Sequence, residues 1–440
     1  MTPPFLNCCS GQETEVLMAA LTVTLVSFNA EGHFSLANGY LKAYVHEDRS
    51  LRHRVDLDLV DFAVENHDAR QALFYLSQRM PRVLGLSCYC WNMEVNLELA
   101  RIYKAVAPAS LIVLGGPEVG PIAERYLRDN DAVDLVVRGE GEATFRELLR
   151  HLAAGEGALE EIHGISYRRD GTVISTPDRP PIADLDEIPS PYLTGVLAPR
   201  DRVTYVETSR GCPYRCAYCY EGRHFPGVRL FSERRIQREI ETVVRTPGVR
   251  SFHLVDSVFN LNKERLRRLA RLISEVNQTG AQILTVEILA DLVDEETTEL
   301  LRLANVASVE TGPQTVHADT LALMRRPHRA DAFARGVRLL REAGIEVLCD
   351  LIIGLPGDNF FRFAQSIREV MELRPTTLVF SILHVLPGTD LYEDPPHYGL
   401  RFDARAPHLV IDTDTFPFAE IDRAVLMSIP VAKEYNVRLD

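Results

Sequence analysis

Three cysteines, Cys212, Cys216 and Cys219, fall within eight positions of the run Thr-Ser-Arg-Gly-Cys-Pro-Tyr-Arg-Cys-Ala-Tyr-Cys-Tyr, residues 208–220. The spacing C-x-x-x-C-x-x-C is that of a chelate rather than of a packing pattern. Thiolates are soft ligands that suit iron–sulfur clusters or zinc. A structural zinc site takes a fourth protein ligand, usually from a second C-x-x-C or H-x-x-x-H half. No second half follows here. A four-iron cluster held by three cysteines leaves one iron open to a small molecule. The triplet is therefore a candidate centre of chemistry. The chain's five other cysteines do not extend it. Cys8 and Cys9 lie in an N-terminal stretch, 1–20, expected to be flexible. Cys88 and Cys90 form only C-x-C, and Cys349 sits in a strand-like run, so these three read as buried or loop thiols.

The elements around the triplet follow from periodicity. Residues 21–160 alternate apolar strands, at 21–28, 54–59, 83–87, 111–114 and 135–137, with helical periods between them. That rhythm predicts an α/β fold whose first domain is a Rossmann-like, doubly wound parallel sheet. Such sheets bind ligands beyond the carboxyl ends of their strands. The turns Gly115-Gly116-Pro117 and Gly139-Glu140-Gly141 fall at those ends. Residues 161–200 hold a hairpin, 164–175, with Asp170-Gly171 as its turn, and then Pro177, Pro180, Pro181, Pro189 and Pro191. Prolines at that density predict an extended linker. From 201 to 385 the βα rhythm returns with six strands, at 203–208, 251–256, 282–287, 307–310, 346–353 and 377–382. Six units are too few for a closed eight-fold barrel of about 250 residues. A partial (β/α)6 TIM-type barrel is expected. The triplet follows its first strand, on the rim where such barrels carry their sites. Residues 386–440 are expected to form a short segment packing on the barrel.

Together these residues resemble the radical S-adenosylmethionine superfamily, and within it the members with an N-terminal cobalamin-binding domain. The resemblance covers nearly the whole chain. Its most specific element is C-x-x-x-C-x-aromatic-C, with Tyr218 before Cys219. Glu310-Thr-Gly-Pro-Gln-Thr315 resembles the fourth-strand motif, and Asp350-Leu-Ile-Ile-Gly-Leu-Pro-Gly357 the fifth-strand segment. The resemblance implies one [4Fe-4S] cluster on Cys212, Cys216 and Cys219. It implies S-adenosylmethionine contacts from Tyr218, Asp256, Glu287, Glu310, Gln314, Ile353 and Gly354. It implies cobalamin contacts from Ser87, Tyr89, Trp91, Asn92, Gly115, Gly116, Pro117, Glu118, Gly139 and Glu140. Many cobalamin proteins supply a lower-axial histidine from D-x-H-x-x-G. The first turn here, Glu31-Gly-His33-Phe-Ser-Leu36, keeps only the histidine, and His33 is expected to be a loop residue.

The activity implied is methyl transfer from S-adenosylmethionine, by way of cobalamin, to an unactivated carbon or less often phosphorus. The substrate class is a small-molecule or peptide natural-product intermediate, and flavodoxin or ferredoxin would supply electrons. Relatives use the same parts for ring contraction, cyclisation or other rearrangement. A reading of another class is a non-catalytic cobalamin or redox sensor. The chain shows no helix-turn-helix or basic patch for a transcriptional one. The net charge of −14 argues against tracking along nucleic acid. No run reaches the roughly 18 apolar residues that a membrane span needs. The first residues lack a signal peptide's basic region and apolar core. A cytoplasmic location is expected.

Overall fold

The computed structural model describes residues 20–225 and 227–436. Cys8, Cys9 and the remainder of the N-terminal stretch lie outside them. The first sheet has five parallel strands: β1 (Leu21–Asn29), β2 (Val55–Ala63), β3 (Val83–Ser87), β4 (Leu111–Gly115) and β5 (Leu135–Val137). Their spatial order is 2-1-3-4-5. The order reverses beside β1, so a crevice opens between β1 and β3, where doubly wound folds bind ligands. Helices α1 (Leu36–His46) and α5 (Gly141–Ala154) pack together. Helices α2 (Ala69–Leu76) and α3 (Met93–Val106) do likewise, and α4 (Ala123–Asp129) completes the set. The starts of α1 and α2 are set by side chains. Ser35 caps α1 by accepting from Asn38 N, and Asp68 forms a capping box with Gln71. Each such cap is worth about 1 kcal/mol.

The hairpin β6 (Ile165–Arg169) and β7 (Thr172–Ser175) belongs to this sheet rather than to the linker. It adds antiparallel to β5, whose edge would otherwise be free. The Pro-rich connector is extended but well packed. Leu185, Ile188 and Tyr192 are buried in the same apolar cluster as Tyr40 and Tyr44 of α1 and the barrel interior. Tyr192 Oη donates to Tyr205 O at 2.7 Å. The connector thus joins the two domains into a continuous core.

The second sheet has six parallel strands in sequence order: β8 (Tyr205–Val206), β9 (Ser251–Leu254), β10 (Gln282–Glu287), β11 (Val306–Gln314), β12 (Glu346–Ile353) and β13 (Thr377–Ile382). Helices α6 (Glu233–Arg245), α7 (Lys263–Val276), α8 (Glu295–Leu303), α9 (Ala330–Glu342) and α10 (Phe360–Glu372) alternate with them. This is the expected partial barrel. At its open edge, Asn436 of the last helix, α11 (Phe418–Asn436), pairs with both backbone groups of Leu378, at 3.0 and 3.1 Å. A side chain there occupies the edge that another strand would take. The C-terminal segment also reaches the first domain, where His408 Nε2 meets Glu118 Oε1 at 2.7 Å. Among the described residues no helix is long and apolar enough to cross a membrane.

Candidate functional site

The cysteine loop leaves β8 abruptly. The sequence predicts a strand to Thr208, but pairing ends at Val206. The cause is Asp256, which is buried. Its carboxylate accepts from Thr208 N at 2.8 Å, Ser209 N at 2.9 Å and the Thr208 hydroxyl. Arg265 lies 3.6 Å away and donates to Thr208 O at 2.9 Å. Asp256 has its lone pairs taken up within the protein. It is the anchor that turns the chain toward the cysteines.

The loop is then held from several sides. Ala217 N donates to Met324 O at 2.8 Å, and Leu391 N donates to Ala217 O at 3.2 Å. Gly222 fits beneath it because a Cβ there would lie 1.6 Å from Tyr214 O. Cys212 and Cys216 are buried, Cys219 is half-buried, and all three are free thiols. No three His, Cys, Asp or Glu side chains among the described residues converge on a single ion. The donor set instead suits a cluster, whose thiolates attach to separate irons. Burial pushes the Cys219 thiol up to about 11. Ligation reverses this, since metal takes the thiolate.

The barrel mouth beside the loop is acidic. Glu287 of β10 and Glu310 of β11 are register partners. Asp350 of β12 lies two residues beyond Leu348, the partner of Glu310. Burial, then repulsion by Glu310 and Glu287, pushes Asp350 up to about 8. Burial, then Glu310 and Glu221, pushes Glu287 up to about 7. Glu287 keeps exposed surface at the strand end, so solvent moderates its shift more than that of Asp350. Arg326 opposes both shifts and also lies beside Tyr218 and Cys216. Asp350 Oδ1 and Tyr218 Oη are buried without a hydrogen-bond partner. Orphaned polar atoms beside a cysteine loop fit a polar ligand such as the amino-acid end of S-adenosylmethionine. Gln314 sits here with φ +67°, after a register shift in β11. Ile353 and Gly354 follow at the end of β12. A Cβ on Gly354 would meet Val410 Cγ1 at 2.6 Å, so its bare backbone serves packing by the C-terminal segment. Ile353 is buried, and its carbonyl accepts from Leu383 N.

These shifts set a pH dependence. Groups whose ordinary values are 3.8 and 4.5 hold protons more tightly when folded. Stability is then full below the ordinary values and lost as pH rises toward about 8. In cofactor-free protein, wild-type Tm should fall more steeply than that of Asp350→Asn between about pH 5 and 8.5. Parallel melting curves for the two proteins would contradict the assignment.

Facing the loop across the domain boundary is a cavity of about 390 Å³. Its walls include Ser87, Tyr89, Gly115, Gly116, Pro117, Gly139 and Glu140, all expected from the sequence. Gly116 has φ +128°, and a Cβ there would lie 2.3 Å from Cys88 O, so only glycine lets the β4 turn close against β3. Three expected residues are not among its walls. Asn92 is buried and tied to Tyr89 N, Phe28 O and Ser87 O. Glu118 is buried between Tyr126 and His408. Trp91 is exposed and stacks on Tyr89 with ring centroids 4.3 Å apart. His33 bonds the Tyr205 hydroxyl and lies outside the cavity.

The sequence reading missed the cavity's other walls. Gly85 lies mid-strand, where a Cβ would sit 2.4 Å from Leu25 Cδ2. The gap it leaves in the apolar run of β3 was the available signal. Arg210, two residues before Cys212, sits at the centre of a charge cluster. It reaches Glu142 at 2.8 Å, Glu207 at 3.0 Å and Glu140 at 3.3 Å. Arg229 adds a second bond to Glu140, at 2.7 Å. Burial opposes ionisation of Glu140, but hydrogen bonding from Arg229 and the charge of Arg210 hold it below its ordinary value. Burial lifts Glu207 to about 7 against the pull of Arg210. Glu140 and Glu142 come from the first domain and the arginines from the cysteine region, so the cluster spans the boundary.

Comparison with known proteins matches this geometry. Residues 206–370 match the Radical SAM superfamily and residues 33–149 the B12 binding domain. The chain is 27% identical over 367 residues to an uncharacterized methyltransferase, PH0819, of Pyrococcus horikoshii, covering 81% of this chain and 77% of that one. It is 29% identical over 368 residues to the 2-(S-pantetheinyl)-carbapenam-3-carboxylate methyltransferase of Streptantibioticus cattleyicolor, covering 80% of this chain but 53% of that one. The chain thus spans about half the length of the second relative. The fold resembles that of the radical S-adenosylmethionine methyltransferase TsrM from Kitasatospora setae. That likeness has a TM-score of 0.72, with 18% identity and 92% and 81% of the two chains covered. The two domains imply a [4Fe-4S] cluster, S-adenosylmethionine and cobalamin, and the free thiols, the orphaned polar atoms and the crevice fit them. The chain belongs to the proteins that join a B12-binding domain to a radical S-adenosylmethionine domain.

Proposed function

We propose that this chain is a cobalamin-dependent radical S-adenosylmethionine methyltransferase. Its substrate is an unactivated carbon, or less often phosphorus, of a small-molecule or peptide intermediate. One observation carries the reading: the crevice of the first sheet and the cysteine loop share one cavity wall, since Ser87 and Gly116 line it with Ser209, Arg210 and Gly211. When bound, the cluster, S-adenosylmethionine and cobalamin supply the radical and methyl-transfer chemistry. The protein supplies placement. Cys212, Cys216 and Cys219 hold the cluster. Glu287, Glu310 and Asp350 offer acceptors to an amine and to hydroxyls, and Tyr218 lies beside them. Glu140 and Glu142, through Arg210, fix the turn after β5 against the loop. A one-electron donor such as flavodoxin or ferredoxin, and a cytoplasmic setting that keeps the thiols reduced, complete the proposal.

Product counting tests it. A methylase of this type yields S-adenosylhomocysteine and 5′-deoxyadenosine together, in amounts that match methylated product. Formation of 5′-deoxyadenosine without S-adenosylhomocysteine would favour rearrangement or cyclisation instead. Absence of both from cluster- and cobalamin-loaded protein given substrate would favour a sensor.

A further inference from the structure

A second cleft, of about 280 Å³, approaches the cysteine loop from another side. Its walls are Arg215, Cys216, Arg223, Arg325 and Asp390, none of which lines the interdomain cavity. Arg223 and Arg325 both pair with Asp390. Arg215 is exposed and makes no ion pair among the described residues. Three guanidinium groups thus face one carboxylate, in a chain whose net charge is −14. A local excess of positive charge on an acidic protein selects partners by field, since it attracts anions only at this face. The arginines are exposed at the rim, so the surface suits a partner larger than the cleft. Cys216 forms part of the cleft wall. No layer of protein separates a partner seated there from a cluster ligand.

We propose that this arginine-rimmed cleft is the docking surface for an acidic one-electron carrier protein bearing a reduced flavin or an iron–sulfur centre. One electron leaves the carrier's centre, which is oxidised by one electron. It enters the cluster held by Cys212, Cys216 and Cys219, which is reduced by one. The interdomain cavity is left free for cofactor and substrate. The proposal rests on the radical reading of the cysteine loop.

The test uses cluster-loaded protein with two reductants, reduced flavodoxin and dithionite. In the Arg215→Glu/Arg223→Glu double variant, cluster reduction by flavodoxin should slow by about 10- to 100-fold at low salt. The Kd for flavodoxin, measured by titration, should rise with it, while dithionite bleaches the cluster at the wild-type rate. Wild-type binding should weaken as salt is raised. Arg234→Glu, on the exposed face of α6, should change neither rate. Equal flavodoxin rates in wild type and double variant would overturn the proposal. So would equal slowing with both reductants, which would assign the arginines to cluster integrity. If dithionite reduces the wild-type cluster but flavodoxin neither binds nor reduces it, the docking surface fails alone. If wild-type protein holds no reducible cluster, the radical reading fails with it.

Discussion

Cys216→Ala should give a protein without the brown absorbance near ~400 nm that a [4Fe-4S] centre confers, and without any cleavage of S-adenosylmethionine. The loss should be complete rather than graded. Two remaining thiols leave two irons without cysteine ligands. Arg326, beside Cys216, is a cation that cannot ligate iron. Cys88→Ala is the matched control. Cys88 is also buried, but its Sγ lies 3.3 Å from Leu86 O in the first sheet. That variant should lose some stability and keep its absorbance. Iron quantitation together with the spectrum decides the matter, and an active Cys216→Ala protein would sink the assignment.

Arg210→Met should be the most destabilising single change at the domain boundary. It leaves Glu140, Glu142 and Glu207 facing one another with only Arg229 to offset them, and that through Glu140. Removing one partner of a buried ion pair typically costs about 3–5 kcal/mol. Urea unfolding should show that loss, and cobalamin should no longer stay with the protein through gel filtration, because Arg210 is also a wall of the cavity. A rescue separates charge from shape. Adding Glu142→Gln and Glu207→Gln removes the repulsion and should recover most of the stability, since neutral replacement of a whole buried ion cluster is often tolerated. Unchanged unfolding of Arg210→Met would show that the cluster is solvated enough to carry little energy.

Both sheets were legible in the sequence because apolar runs and helical periods alternate without interruption. The cysteine triplet was legible because thiol spacing is a local property. The cavity turns were legible where glycine marks a close approach, as at Gly116. Charged residues were harder to place. Asp256, Glu118 and Glu140 are all acids at strand ends or in turns, and sequence position does not reveal their partners. Only the fold shows that Asp256 is spent on Thr208 and Ser209, that Glu118 is buried against His408, and that Glu140 pairs with two arginines. These partners lie 47 to 290 residues away along the chain. Gly354 is a related case. A glycine after a strand signals close approach, but the approaching group is Val410 of the same chain. The hairpin is legible from its Asp-Gly turn, but its place in the sheet is not, since edge pairing with β5 leaves no mark in its own residues.

The clasp on Ala217 bears on the order of events during synthesis. The cysteine loop takes its shape from Met324 and Leu391, which follow it by more than a hundred residues. A nascent chain that has emerged only to residue 320 presents all three thiols and neither clasp. Iron delivered at that moment meets a loop without its final shape. For a cluster held by Cys212, Cys216 and Cys219, closing the half-barrel would have to come before the loop reaches its final shape.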